Sequence, residues 1–241
     1  MKPKFKTYNK GVITQYFGGS PANNPTQYST RGQSGHSGID TDFTIWAHPV
    51  EADNDCYVYK TINSNQSREN WQGVYMLVEM PNDEVMEICQ GHFEEIKVRK
   101  GDYIPEGAII GLEGNRGYVF SGGVQITPEM QMNGDKRGAH THTAFRLTKK
   151  VPTVSRDEYY LLNVDGTKYR HTDGSYLQIV YKDNGYNGCI NPWLYAQKEP
   201  VKKNNKELLA KIEVLKAEIE RRQKLSLIER IKELLGLLKK K

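Results

Sequence analysis

The sequence predicts a mainly β fold, in which an antiparallel β-sheet domain is followed by an α-helical tail. Glycine, tyrosine, asparagine and threonine are frequent through residue 198, turn signals recur there, and alanine-rich helical periods are absent. The composition changes over residues 199–205, after which one glycine and no proline remain and leucine, isoleucine, glutamate and lysine dominate. We therefore expect a β domain over residues 1–198, a linker over 199–205 and a helical tail over 206–241.

Short apolar runs mark the strands of the β domain. Residues 53–62 contain the run CYVYKTI, and residues 73–80 and 84–90 flank the turn Pro81-Asn-Asp83. Two such runs around a short turn of this composition are typical of a β-hairpin. Residues 107–112, GAIIGL, form another apolar run that glycine bounds. By contrast, residues 115–138 contain five glycines and little periodicity, which predicts a loop insertion.

The positive charge of the chain belongs to its tail. The formal net charge is +5. Residues 1–200 carry 21 basic and 23 acidic side chains, a net of −2, whereas residues 201–241 carry 13 basic and 6 acidic side chains, a net of +7. Because nucleic-acid binders concentrate basic residues on the folded domain, we expect no nucleic-acid partner.

Cysteine usage and hydropathy exclude two further classes of protein. The three cysteines, Cys56, Cys89 and Cys189, cannot all pair within one chain and show no Cys-x-x-Cys spacing, which argues against a disulfide scaffold. The sequence contains no run of 18 apolar residues, so we expect no transmembrane helix. The first residues, MKPKFKTYNKGVITQYFGG, contain no apolar stretch of signal-peptide length, so we expect synthesis in the cytoplasm unless a leader has been removed.

Two histidine motifs suggest a metal site. His140 and His142 stand in the segment GAHTHTAF, and residues two apart in a strand point to the same face. His36 and Asp40, in GHSGID, are four apart, which also gives one face in a strand. Two imidazoles and one carboxylate form the ligand set of a catalytic zinc site with a fourth position open for water. Each motif alone also fits histidines with ordinary hydrogen bonds, but the combination, with glycine beside each motif, favours the metal.

These motifs occur in an order that resembles the lysostaphin-like zinc endopeptidases, which cut peptide cross-links and bridges in bacterial peptidoglycan. The family pattern is a His-x-x-x-Asp motif, a central histidine followed by a Gly-rich hairpin, and a terminal His-x-His. Here GHSGIDTDF supplies the first part, GHFEEIKVRKGDYIPEGAIIGLEGNRG resembles the central stretch, and GAHTHTAFRL supplies the last. ITQYFG and GCINPWLY resemble the flanks, so that the resemblance spans about residues 10–196.

The resemblance implies a role for each of five residues. His36, Asp40 and His142 match the zinc ligands, and His92 and His140 match the two catalytic histidines. It also implies a β-sheet groove that holds the zinc. Since all five residues are present, an active enzyme is favoured over a degenerate homologue. The chain has no His-Glu-x-x-His motif, so histidine must orient the water and transfer protons.

The sequence departs from the family pattern in two places. Arg116 stands where the family usually has threonine, and Gly117 is followed by some twenty residues before Gly138, where the family needs about ten. The final motif is Thr-His-Thr, whereas the family often has Leu-His-Phe. We expect the insertion to reshape a wall of the substrate groove, with Tyr118 as a candidate for stacking on a glycan or a peptide.

The expected function is zinc-dependent hydrolysis of peptide bonds in peptidoglycan, as in cell-wall lysis. The missing signal sequence favours a phage or prophage lysin that is made in the cytoplasm and acts in the cell wall or periplasm. Two alternatives stay open. One is a bacterial cell-wall remodelling hydrolase whose leader has been removed. The other is a non-catalytic module of the same fold that binds the wall or activates another hydrolase.

The tail shows apolar positions at helical spacing. A first stripe comprises Leu208, Ile212, Leu215 and Ile219, and a second comprises Ile228, Ile231, Leu235 and Leu238. Ser226 and Glu229 form a capping box at the start of the second helix. Three roles are open: a short coiled coil within the chain or with a second chain, contact with anionic wall polymers or a membrane surface, and packing against the β domain.

Overall fold

The structure is a computed structural model that describes residues 4–5, 10–19, 28–29, 32–63 and 71–195. All of these residues belong to one compact unit that ends at residue 198. The predicted linker and the predicted helical tail lie outside the described residues. In the part of the chain that is described, no helix is long and apolar enough to cross a membrane.

The described residues form fourteen strands and two short helices. In chain order they are β1 (Val12–Gln15), β2 (Ile39–Asp42), β3 (Pro49–Glu51), β4 (Cys56–Ile62), β5 (Gly73–Glu79), β6 (Glu84–Gly91), β7 (Glu95–Ile96), β8 (Tyr103–Ile104), β9 (Ile109–Leu112), β10 (Val119–Ser121), β11 (Val124–Ile126), α1 (Pro128–Met132), β12 (Thr141–Val151), β13 (Tyr176–Ile179), β14 (Cys189–Ile190) and α2 (Pro192–Tyr195).

The main sheet is built around the long strand β12. Its strand order is β1-β2-β12-β6-β5-β4-β8, and β13 and β14 also pair with β12. Two smaller sheets have the orders β10-β11 and β3-β9-β7. Neighbouring strands run antiparallel in all three sheets. The mainly β, antiparallel class predicted from the sequence is therefore confirmed.

The predicted hairpin is formed by β5 and β6. Glu79 pairs with Val85 next to the turn. Asn82 and Asp83 have φ values of 63° and 58°, in the left-handed region that asparagine and aspartate tolerate better than most residues. Because both strands are long and in register, the hairpin supplies the middle of the main sheet. It also carries the chain to Gly91, at the edge of the site described below.

The two faces of β12 have different environments because successive side chains of a strand point in opposite directions. Phe145 and Leu147 are buried in the main hydrophobic core on one face. His142 and Arg146 belong to the other face, which forms the floor of a groove. The far end of that second face is covered by a smaller hydrophobic cluster around Tyr59. The sheet therefore separates the main hydrophobic core from the groove.

The prediction of a loop over residues 115–138 is wrong for part of the segment, which contains two strands and a helix. Residues 119–126 form the β10–β11 hairpin, in which Gly122 and Gly123 have φ values of 57° and 82° and so permit a two-residue turn. Helix α1 follows, and the Thr127 hydroxyl accepts a hydrogen bond from the Met130 N–H at 3.3 Å. The turn glycines, the N-cap residue Thr127 and the first helical residue Pro128 are the local signals for this structure.

Candidate metal centre and groove

Three neighbouring strands bring the predicted site residues together. β2 and β6 flank β12, so that His142 lies in register with Asp40 on one side and with Gly91 on the other. His92 follows Gly91 directly. His140 lies one residue before β12, where its backbone still forms an isolated antiparallel bridge. Residues that are far apart in the sequence are thus adjacent because of antiparallel pairing around a single strand.

His36 reaches the site by a different route from the one its spacing predicts. It lies in the loop before β2, outside any strand. The main chain of this loop is held by two hydrogen bonds, one from Gly18 N–H to the His36 carbonyl at 2.8 Å and one from His36 N–H to the Gly19 carbonyl at 3.1 Å. The His36 Nδ1 lies 3.2 Å from the Tyr16 carbonyl oxygen, which orients the ring. The prediction that His36 lies beside Asp40 is confirmed, but its assumed basis, a shared strand face, is wrong because His36 lies in a loop.

Three ligand atoms form a nearly equilateral triangle. The His36 Nε2 lies 2.9 Å from the His142 Nδ1 and 3.1 Å from the Asp40 Oδ1. The His142 Nδ1 lies 2.9 Å from the same carboxylate oxygen. All three side chains have little exposure, with relative side-chain accessibilities of 5%, 9% and 13% for His36, Asp40 and His142. Two nitrogens and an oxygen therefore converge on one point that is shielded from solvent.

This donor set fits a zinc ion. Three ligands at about 2.0–2.1 Å from a tetrahedral ion lie about 3.4 Å from one another, close to the distances between the three atoms here. The Nδ1–H of His36 has the Tyr16 carbonyl as its acceptor, which leaves the Nε2 lone pair for a metal. Among the described residues, one group of histidine, cysteine or acidic side chains is close enough together to hold a metal ion, and it consists of His36, Asp40 and His142.

His92 and His140 lie beside the triangle and have a common arrangement. The Nδ1 of His92 lies 2.7 Å from the Arg116 carbonyl oxygen, and the Nδ1 of His140 lies 2.8 Å from the Gly138 carbonyl oxygen. Since a carbonyl oxygen only accepts, each Nδ1 carries the hydrogen and each Nε2 keeps its lone pair. The two ring centroids are 4.4 Å apart, and the His140 Nε2 lies 3.5 Å from the Asp40 Oδ2.

His92 also has an unusual backbone. Its φ is 68°, in the left-handed region that residues with a Cβ rarely occupy. Such strain persists only where surrounding contacts fix it, and it concentrates at functional sites. The hydrogen bond to the Arg116 carbonyl fixes the side chain from the other end. The site therefore holds this imidazole in one position.

Burial and mutual proximity set the ionisation of the site. Burial opposes ionisation of Asp40, but the charges of His140 and His36 and the hydrogen bond from His142 outweigh it, so the pKa of this carboxyl lies well below its usual value. Burial is the main reason that the pKa of His92 lies well below its usual value, and His140 and His142 lower it further. Burial also lowers the pKa of His142, although Asp40 opposes this. The site thus combines the anionic carboxylate of Asp40 with the neutral imidazoles of His92 and His142, as a cation requires.

Trp71 covers the edge of the site, next to His92. Its ring centroid lies 4.7 Å from that of His92 at an interplanar angle of 80°. A Cβ at Gly91 would lie 2.0 Å from the Trp71 ring, and a Cβ at Gly73 would lie 2.6 Å from its Nε1. The two glycines therefore allow the indole to lie against the sheet next to the catalytic candidate. The strand pairing that places these glycines side by side is non-local, so the sequence alone did not reveal this role.

The candidate metal centre opens into a groove of about 970 Å³. Its floor is the face of β12 that carries His142, Ala144 and Arg146. One wall includes Tyr28 and Gln33, and the other is formed by residues 118–123 of the insertion. The insertion therefore does shape a groove wall, as expected. Two side-chain amides hold the insertion in this position. That of Asn115 donates to the carbonyls of Asp135 and Arg137, and that of Gln131 donates to the carbonyls of Gly117 and Ile126.

Comparison with known proteins finds similar solved structures. The catalytic domain of the antimicrobial peptidase lysostaphin from Staphylococcus simulans matches with 18% identity and a TM-score of 0.42, over 78% of this chain and 92% of that chain. A mutant of the catalytic domain of the prophage-encoded M23 protein EnpA from Enterococcus faecalis matches with 20% identity and a TM-score of 0.38, over 60% and 85%. A zinc-containing peptidase from Vibrio cholerae matches with 20% identity and a TM-score of 0.36, over 61% and 35%.

These structural neighbours are lysostaphin-type and M23 peptidase catalytic domains and a zinc peptidase. No family model and no curated protein matches the chain. Because identities and TM-scores are low, the roles of individual residues follow from the geometry of this chain's own side chains.

Replacing Gly38 by alanine is expected to disturb the metal centre without removing a ligand. The new methyl group would lie 2.4 Å from the Thr143 carbonyl oxygen and 2.7 Å from the His142 Cε1. Since the main chain of β12 is held by its neighbours, the imidazole must move. We expect the free energy of unfolding to fall by about 1–3 kcal/mol and the zinc affinity to fall roughly 10-fold or more. Chemical unfolding and competition with a zinc chelator measure the two effects, and an unchanged zinc affinity would contradict the assigned contact.

Glu113 is expected to make stability depend on pH. Burial is the main cause that raises its pKa to about 8, from an ordinary value of 4.5; the Phe43 N–H partly opposes the shift, and Asp42 adds to it. The folded chain therefore binds more protons than the unfolded chain between these two values. Stability should fall as the pH rises through this window, by at most about 1.4 kcal/mol per pH unit.

Glu113→Gln should flatten this dependence, because the amide does not titrate. The measurement is the urea midpoint of the wild type and the variant at several values between about pH 5 and pH 8. Parallel pH profiles for the two proteins would show that Glu113 does not carry the effect.

Proposed function

We propose that this chain is a zinc-dependent endopeptidase that hydrolyses peptide bonds of bacterial peptidoglycan. The observation that carries the proposal is the convergence of His36, Asp40 and His142 on one point of the groove, with His92 and His140 beside it. Three protein ligands with a fourth position left to water are typical of catalytic zinc sites, whereas structural sites use four protein ligands.

The five residues divide the chemical work. Zinc held by His36, Asp40 and His142 would lower the pKa of a bound water and polarise the scissile carbonyl. His92 and His140 keep their Nδ1–H groups on main-chain carbonyls, so each Nε2 can accept a proton from the attacking water and return it to the leaving amine. The lowered pKa of His92 keeps that ring neutral, and hence able to accept, at neutral pH.

The substrate class is supported by the motif order and by the shape of the groove. The chain resembles enzymes that cut peptide cross-links and bridges, and its groove of about 970 Å³ suits an extended peptide. For the biological setting we propose a phage or prophage lysin that acts in the cell wall, with a bacterial remodelling hydrolase as the alternative. The net charge of +7 on residues 201–241 would favour contact with anionic wall polymers.

Mass spectrometry of digests tests this function. The zinc-loaded full chain is incubated with purified peptidoglycans of defined cross-links, and His140→Ala serves as a matched control. We expect soluble fragments in which one peptide bond has gained the elements of water, giving a new amine and a new carboxylate, and far fewer of them with the control. Release of glycan fragments with intact peptides would contradict the proposal. Binding to the wall without any release would favour the non-catalytic module.

A further inference from the structure

The groove extends beyond the metal centre to a second cluster of charged side chains. Along β12, His142, Ala144 and Arg146 share one face, and they pair with Gly91, Cys89 and Glu87 of β6. Arg146, Glu87, Cys89 and the neighbouring Asn187 line the same groove as the metal ligands. Between the two ends the floor is made of small side chains, Ala144 and Cys89, which leave room for a main chain to pass.

Both carboxylate oxygens of Glu87 accept hydrogen bonds from other side chains of the protein. Its side chain is 2% exposed, one carboxylate oxygen accepts from the Tyr59 hydroxyl, and the other accepts from the Arg146 Nη1. A cationic ligand would therefore find no available carboxylate oxygen on Glu87. What Glu87 does is hold the guanidinium of Arg146 in place, because a buried carboxylate strongly favours a fixed ion pair over an unpaired charge.

Arg146 keeps part of its bonding capacity for the groove. Its Nε–H donates to the Asn187 carbonyl at 3.0 Å, and its Nη2 lies 3.7 Å from the Cys189 Sγ, which is a weak acceptor. These bonds and the one to Glu87 use three of the five N–H groups of a guanidinium. The side chain is 22% exposed, although its partner Glu87 is almost wholly buried. The guanidinium of Arg146 is therefore held in one orientation, and one of its edges is accessible from the groove.

The charges around Arg146 favour an anion. Lys60 lies on the same side of the sheet, with its Nζ 4.0 Å from the centroid of the Tyr75 ring, and it donates to the Leu162 carbonyl at 3.1 Å. Lys60, Arg146 and Glu87 together carry two positive charges and one negative charge, a net of +1, although Lys60 does not itself line the groove. A planar guanidinium held in this way is suited to a carboxylate, which it can bind through two parallel hydrogen bonds.

We propose that Arg146 forms a subsite for a carboxylate of the substrate peptide. It lies four positions after His142 along β12, a distance of about 13 Å at about 3.3 Å per residue. An extended peptide in the groove covers this distance with about four residues. The inference rests on the proposed peptidase function and narrows it: the preferred substrate is an acidic peptide whose α-carboxylate or side-chain carboxylate lies about four residues from the cleaved bond.

Neutralising the carboxylates of the substrate tests the subsite directly. The probe is the soluble peptide fraction of peptidoglycan, used before and after chemical conversion of its carboxylates to amides. We expect the zinc-loaded wild type to show a kcat/KM roughly 10-fold to 100-fold higher for the acidic peptides, the range for a hydrogen bond to a charged group. Equal kcat/KM values for both preparations would overturn the proposal. Synthetic peptides amidated only at the C-terminus or only at an acidic side chain then identify which carboxylate is bound.

Variants assign the preference to Arg146. The double variant Arg146→Met/Glu87→Gln removes both charges together and so avoids a buried unpaired carboxylate. In this variant the ratio of kcat/KM for acidic peptides to kcat/KM for amidated peptides should fall to about one. Arg146→Lys keeps the charge but loses the fork, and the ratio should fall partway. Arg156→Met, which removes an exposed arginine elsewhere, should leave the ratio unchanged. A preference that persists in the correctly folded double variant, or in Arg146→Lys at full strength, would contradict the assignment.

Calorimetric binding separates this inference from the proposed function. Titration of acidic and amidated peptides into His140→Ala needs no turnover. Tighter binding of the acidic peptides would support the subsite even if the wild type hydrolysed nothing, whereas hydrolysis without any preference would support only the peptidase.

Discussion

His142→Ala should lose both stoichiometric zinc and measurable hydrolysis. The ring supplies one of three converging ligand atoms, at 2.9 Å from both the His36 Nε2 and the Asp40 Oδ1. Two remaining ligands hold a divalent ion much less tightly, and catalytic zinc sites use three. The measurements are metal content after dialysis against metal-free buffer and the rate of amine release from peptidoglycan, which should fall to the rate without enzyme.

His48→Gln provides the matched control. The His48 ring stacks on that of Phe43 with centroids 4.5 Å apart and does not belong to the ligand triangle, so this variant should keep both zinc and activity. If His142→Ala retained one zinc per chain, this ring would not be a ligand. If it lost zinc but kept full activity, the reaction would not depend on the ion.

His140→Ala and His92→Ala should keep zinc but hydrolyse roughly 10²–10⁴-fold more slowly, the usual effect of losing a general acid–base group. Neither ring belongs to the ligand triangle, and each holds its Nδ1–H on a main-chain carbonyl with Nε2 left to accept a proton. The decrease should appear mainly in kcat, because these groups act on the reacting atoms.

Zinc content and thermal unfolding decide whether these losses are catalytic. Both should stay close to those of the wild type, although His92→Ala retains the left-handed backbone at residue 92 and therefore its strain. Near-normal turnover in either variant would remove that residue from the mechanism. Loss of zinc in either would instead make it a ligand.

Short sequence motifs predicted which side chains lie close together, but not the hydrogen bonds that orient them. The five histidine and aspartate side chains come from short motifs in a recognisable order, and the structure brings all five together. The bonds that orient the rings involve the carbonyls of Tyr16, Arg116 and Gly138. Any residue type can supply a carbonyl, so no sequence pattern marks these partners.

The strands followed from local patterns, but their assembly did not. Apolar runs and the Pro-Asn-Asp turn predicted β4, β5, β6 and β9. The pairing of β12 with β2 and β6 brings together residues about 50 to 100 positions apart, and local patterns carry no information on that register. Arg146 illustrates both cases: its even spacing from His142 places it on the same face, whereas its partner Glu87 depends on the non-local register.

The insertion shows how local signals can be missed. Its five glycines suggested a loop, yet two of them make the turn of the β10–β11 hairpin, and Thr127 and Pro128 begin helix α1. The segment packs because Gln131, which is 3% exposed, satisfies main-chain groups of Gly117 and Ile126. Such a contact requires the folded helix, which explains why periodicity alone did not predict it.

The most direct test of the metal-dependent mechanism is to measure zinc content and hydrolysis on the same preparation of the full chain. The protein is freed of metal with a chelator, zinc is returned stepwise, and amine release from peptidoglycan is recorded at each step. The rate should be zero without metal and rise in proportion to bound zinc until one ion per chain is present. Full activity of the metal-free protein, or saturation with zinc but no hydrolysis of any peptidoglycan, would contradict it.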